Sequence, residues 1–110
     1  MKLIESSYKI LPQEPGLDGI YKMCEIAGRT AYKSEDRITE GSAKKFVDAL
    51  IRLNHGAVLE HGTVYLKIER TNSLHKEMCT KYGHNKYSEI VVGKHTTYIT
   101  TNLRVLLENN

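Results

Sequence analysis

A chain of 110 residues, 40% hydrophobic and 26% charged, is sized for one globular domain with one core. A net charge of +3 suits an anionic small ligand such as a nucleotide and excludes the dense basic stripe of a nucleic-acid binder. No apolar run is long enough to span a membrane, no signal-peptide core follows Met1, and Cys24 and Cys79 form no CxxC pair, so the expected setting is cytoplasmic with reduced thiols.

Residues 1–10 mix Leu3, Ile4, Tyr8 and Ile10 with polar side chains and read as an edge strand, bulged at Ser6-Ser7. Pro12 and Pro15-Gly16 end it. A helix follows from about Leu17. Leu17, Ile20, Tyr21, Cys24 and Ala27 form its apolar stripe, and Gly28 is a natural stop. Residues 29–41 are polar and read as a connector. Ser42 is placed to cap a second helix, whose inward face is Ala43, Phe46, Val47, Leu50 and Ile51.

Asn54 and Gly56 supply the exit from that helix. After His61, Val64, Leu66 and Ile68 alternate with Tyr65, Lys67 and Glu69, the pattern of a half-buried strand. Asn72 or Ser73 caps a short helix through Met78. Residues 89–92 and 96–99 flank Gly93-Lys94 as a β-hairpin. Asn102 caps a last helical turn, Leu103 to Leu107, apolar enough to need a neighbour, another subunit included. Helices mixed with an antiparallel sheet make an α+β fold in one domain over residues 1–110.

The chemistry gathers at the corner between the second helix and the strand. Residues 54–61 hold His55, Glu60 and His61 around a glycine and a short apolar run. Loops held on a rigid scaffold are where binding residues concentrate. Glu60 either caps backbone or accepts from a ligand hydroxyl. With His75, Cys79 or His84 the two histidines could supply zinc ligands, but the spacing fits no short metal motif. Cys24 could be a nucleophile, yet its place on an apolar stripe makes burial the expectation. Lys76 to Tyr82 mixes cations, a carboxylate and an aromatic. Lys81 and Arg70 are cations able to hold a phosphate, although no glycine-rich phosphate loop is present.

Residues 27–36 (AGRTAYKSED), Ser42 to Leu53 and His55 to His61 resemble the N-terminal half of the flavin-dependent thymidylate synthases (ThyX). That family has an Ala-Arg-x-Ser or Gly-Arg-Thr-Cys-Tyr-Lys stretch after its first helix and a Gly-His-x-x-x-Leu/Phe-Glu-His turn before a strand. Here Asn54 replaces the glycine and Ala31 the serine or cysteine, while His55, Glu60 and His61 match. The resemblance implies methylation of dUMP to dTMP, with methylenetetrahydrofolate giving the carbon and FAD, reduced by NADPH, giving the hydride. It implies a homo-oligomer, a tetramer in the family, with sites shared between subunits. It places His55, Glu60 and Arg29 around FAD, and Glu77 and Lys81 near the nucleotide substrate, where Arg70 is a further cation able to hold the phosphate. It needs no protein nucleophile.

Departures from the family pattern, among them the expected lack of its C-terminal half, support a different reading, a catalytically inactive truncated binding or assembly module of the same descent. The family's Arg-His-Arg signature has no counterpart after Glu69. In Glu77-x-Cys79-x-Lys81-Tyr82, which resembles the family's Glu-x-Ser-x-Arg-Tyr, cysteine replaces serine and lysine replaces arginine. Lysine keeps the charge but loses the bidentate fork that grips phosphate.

Overall fold

Helical and alternating patterns become five helices and three strands in the computed structural model, which describes residues 7–109. The helices are α1 (Gly16–Ala31), α2 (Ser42–Arg52), α3 (Gly56–Leu59), α4 (His75–Gly83) and α5 (Leu103–Glu108). The strands are β1 (Thr63–Glu69), β2 (Glu89–Val92) and β3 (Thr96–Asn102). They form one antiparallel sheet in the order β1-β3-β2, with Thr63 opposite Asn102 and Glu89 opposite Thr100. The fold is α+β.

Alternation along the strands decides which sheet face is covered. Val64 joins Cys24, Val47, Leu50, Leu59 and Leu103 in one buried cluster. Ile99 joins Tyr82 and Val105 in a second, and Leu66 and Leu106 pack against both. The helices therefore lie on one face of the sheet. The opposite face leaves Tyr65, Tyr98 and Val91 exposed. Asn102 caps α5 as expected, its Oδ1 accepting from the Val105 N–H at 3.0 Å. The apolar side of α5 finds its neighbour within the chain, through buried Leu103 and Val105.

Several local expectations are corrected. No strand forms over residues 7–10, where Tyr8 and Ile10 are exposed, and residues 1–6 of the expected edge strand lie outside the described residues. At the strand edge sits Gln13, whose side-chain amide donates to Thr63 O and accepts from Thr63 N–H, satisfying a backbone pair as a strand would. Gly28 does not stop α1, which runs on to Ala31. A Cβ there would lie 2.5 Å from Phe46 Cζ, so the glycine serves the approach of α2 rather than an end.

Ser42 does not cap α2; Gly41 holds the cap position in the left-handed region at φ 82°. The Ser42 hydroxyl instead accepts from Thr39 N–H and faces the Glu25 carboxylate. Neither Asn72 nor Ser73 caps α4, which starts at His75 and continues past Met78 to Gly83; Asn72 Oδ1 closes the preceding turn by accepting from Leu74 N–H. The hairpin turns one residue later than expected, because Gly93 N–H donates to Thr96 O and leaves Lys94-His95 as the loop.

Candidate functional site

The corner is built by backbone first. Asn54 takes a left-handed conformation at φ 58°, which asparagine tolerates better than most residues. His55 N–H donates back to Leu50 O at 2.9 Å, closing the end of α2. The chain then makes one helical turn, α3, whose Leu59 is buried in the core. That anchoring leaves His55 and Glu60 exposed at either end of the turn. The register of β1 with β3 brings the start of α5 to the same end of the sheet, since Thr63 pairs with Asn102.

Arg104 of α5 is the residue this register delivers, and no spacing in the sequence points to it. Its Nη1 lies 3.1 Å from Glu60 Oε1 and its Nε 3.4 Å from Glu108 Oε1. Glu60 is therefore not a free acceptor; it orients a guanidinium. Gly56 makes room, because a Cβ there would sit 2.8 Å from Arg104 Nε. On the other side His55 Nδ1 lies 3.4 Å from Tyr32 Oη. An open groove of about 380 Å³ runs between Tyr32, His55, Val58 and Arg104. Smaller hollows of about 180 and 190 Å³ adjoin it, both also bordered by Arg104. A phenol, an imidazole and a guanidinium on one rim can stack an aromatic ring and pair with an anion.

Arg29 has a different position. Its Nε lies 3.3 Å from Glu25 Oε2, its guanidinium stacks 4.5 Å from the centroid of Phe46, and Glu25 is only 2% exposed. Glu25 also meets the Ser42 hydroxyl at 2.7 and 2.9 Å, so the buried charge is fully partnered. Arg29 does not border the groove. A glutamate on the buried side of α1 carries no sequence signal, since it interrupts the apolar stripe without a motif.

The expected substrate cations lie elsewhere. Arg70 follows β1 at the end opposite Thr63, and its Nη1 donates to Gly93 O and Lys94 O of the hairpin. Seven strand residues at about 3.3 Å each separate it from the corner. Lys81 is paired with Glu77 at 3.2 Å on α4. The structure thus joins His55 and Glu60 at one site and leaves Arg29, Arg70, Glu77 and Lys81 in other surroundings. Among the described residues no three His, Cys, Asp or Glu side chains gather around one metal position. His61 is exposed after α3, His75 is turned to Thr97, and neither meets His55.

Cys24 is wholly buried, its Sγ 3.7 Å from Leu59 O, and burial pushes the thiol up to about 11. A thiol so placed is a packing group. Among the described residues no helix is long and apolar enough to cross a membrane. The chain matches no protein-family model, no curated protein and no solved structure.

Proposed function

We propose that this chain is a thymidylate synthase-like protein of the flavin-dependent kind, and that the corner groove is one wall of its FAD site. The observation that carries the reading is the convergence of Tyr32, His55 and Glu60-anchored Arg104 on one groove, beside the residues that resemble the family's flavin turn. His55 and Tyr32 would flank a ring, and Arg104 would meet a phosphate or another anionic group. The fit is partial. A groove of about 380 Å³ takes one ring system with part of its substituents, so the rest of a dinucleotide would lie against a neighbouring copy. Bound flavin, reduced by NADPH, supplies the hydride that completes methylation of dUMP by methylenetetrahydrofolate. The chain's own part is to hold the ring edge, orient the guanidinium and shield the site.

Calorimetric titration of FAD, with and without dUMP, tests this on the purified protein. His55→Ala and Arg104→Ala should each weaken FAD by about tenfold, the worth of one charge-assisted hydrogen bond. Failure of the wild-type protein to bind FAD removes the reading.

A second reading, an inactive binding or assembly module, draws on the separation of Arg70, Glu77 and Lys81 from the groove. Growth of a thymidine-requiring strain on this gene without thymidine would eliminate it in favour of the enzyme.

A further inference from the structure

Along β1 the sheet has an open edge. In the order β1-β3-β2, β1 is an outer strand. Leu103 N–H donates to Gly62 O and Arg70 N–H to His95 O, and these two bonds set the phase of the ladder with β3. Antiparallel pairing then turns the backbone groups of Val64, Leu66 and Ile68 to β3 and those of Thr63, Tyr65, Lys67 and Glu69 to the edge. Gln13 satisfies Thr63 with its side-chain amide. Among the described residues, the edge groups of Tyr65, Lys67 and Glu69 have no backbone partner. Leu66 and Ile68, on the helix-covered face, are only half-buried, so the layer under this edge is open at its side.

The same chain carries a segment of matching character. Residues 7–11 form no strand, yet Tyr8 and Ile10 alternate with Lys9 as strand side chains do. Tyr8 and Ile10 are 91% and 82% exposed, more than any other large hydrophobic side chain described. They lie on an arm. The radius of gyration is 16.9 Å, against about 13 Å for a compact chain of this length.

Folding back on its own β1 does not suit this arm. Gln13, held at Thr63, fixes an antiparallel register with Lys9 opposite Lys67, and like charges directly opposed destabilise a strand pair. The β1 of a second copy imposes no such tether. Shifted by two residues, the arm sets Lys9 opposite Glu69, whose nearest cation in its own chain is Lys67 at 3.9 Å. Ile10 then falls opposite Ile68 on the covered face. Pro12, which has no N–H to give, falls opposite Leu66, whose own groups face β3.

We propose that two copies of this chain exchange residues 7–11, each arm adding an antiparallel strand to the β1 edge of the other copy. Backbone groups of Lys9 and Leu11 meet those of Glu69 and Lys67, Ile10 closes the side of the layer at Ile68, and Lys9 pairs with Glu69. Each copy gives one arm and receives one, so the assembly closes at two. It stands independently of flavin and of the corner groove.

Sedimentation equilibrium of the full chain at about 1 to 100 μM reads the mass across the range of ordinary reversible pairs. Twice the chain mass is expected. Ile10→Asp alters both arms and should weaken association about a hundredfold, tenfold for each arm. Lys67→Pro removes an N–H that the ladder with β3 does not use, and should weaken association with native circular dichroism. Lys9→Glu should weaken it about tenfold, and Glu69→Lys in the same chain should restore it. To place the arm, a nitroxide is attached at Lys9→Cys in a Cys79→Ser chain, and this is mixed with isotope-labelled chain that carries no nitroxide. Broadening of the Tyr65, Lys67 and Glu69 amides in the labelled copies arises only between copies. A single-chain mass throughout overturns the proposal. So does a doubled mass that Ile10→Asp leaves unchanged, or one with those three amides unbroadened. If Lys67→Pro fails to fold, Ile10→Asp decides, because the single chain leaves that side chain exposed.

Discussion

Two arginine–glutamate pairs flank the corner, and they differ in their surroundings. In the first, Arg29 and Glu25 are 16% and 2% exposed, and Ser42 and Phe46 close the cluster. In the second, Arg104 and Glu60 are 42% and 37% exposed, with Glu108 as a competing partner. The same two functional groups therefore do different work. Removing Arg29 would leave the Glu25 carboxylate buried without its cation, and through Ser42 and Phe46 the cluster ties α1 to α2. The exposed pair costs little to rearrange, and Arg104 can exchange a carboxylate for a ligand anion. A binding residue must be free to trade partners, which favours Arg104 over Arg29 as the arginine of the site.

The most direct way to break this comparison is to remove the buried carboxylate. Glu25→Ala takes from Arg29 its carboxylate partner, while Ser42 keeps its contacts with Thr39, and urea denaturation should show a loss of about 3–5 kcal/mol. A loss below about 1 kcal/mol, the range of surface pairs, would mean that the cluster is wet and the contrast empty.

The core under α1 should show the same dryness through pH. The folded thiol of Cys24 is raised from 9.0 to about 11, so the folded state keeps its proton where the unfolded chain has lost it. The contribution is whole below about pH 9 and is lost as pH rises towards 11, some 2–3 kcal/mol in all. Stability curves of wild type and Cys24→Ala should therefore converge across that window; parallel curves would show that the thiol is solvated.

Gln13→Ala removes two hydrogen bonds to Thr63 and should cost about 1–2 kcal/mol by thermal unfolding. An unchanged midpoint would show that water replaces the amide at the strand edge. At the exposed pair the effect should be smallest. Glu60→Gln should change stability by less than about 1 kcal/mol, and less still in high salt. A large destabilisation there would make Arg104 architectural, like Arg29, and would weaken the case for the groove.

Several features were legible because their causes are local. The alternation of Val64, Leu66 and Ile68 needs only a strand with one covered face, and β1 follows it. The face of α2 and the Asn102 cap rest on spacings of four residues or fewer. The corner was visible as a clustering of His55, Glu60 and His61 around a glycine. The failures were also local readings, overruled by packing. Gly28 looked like a helix stop but answers to Phe46, and Ser42 looked like a cap but answers to Glu25. Arg29, which the resemblance places near FAD, is held by a buried partner that no local pattern announces.

By itself the sequence determined the α+β class, the helix-to-strand corner and the two groups it presents, because periodicity and turn chemistry act between near neighbours. Only the tertiary structure decided that Arg104, 44 residues from Glu60, completes the groove, and that His75 aligns with Thr97. Both depend on the register of β3, and strand register is settled by which side chains the whole core can bury together.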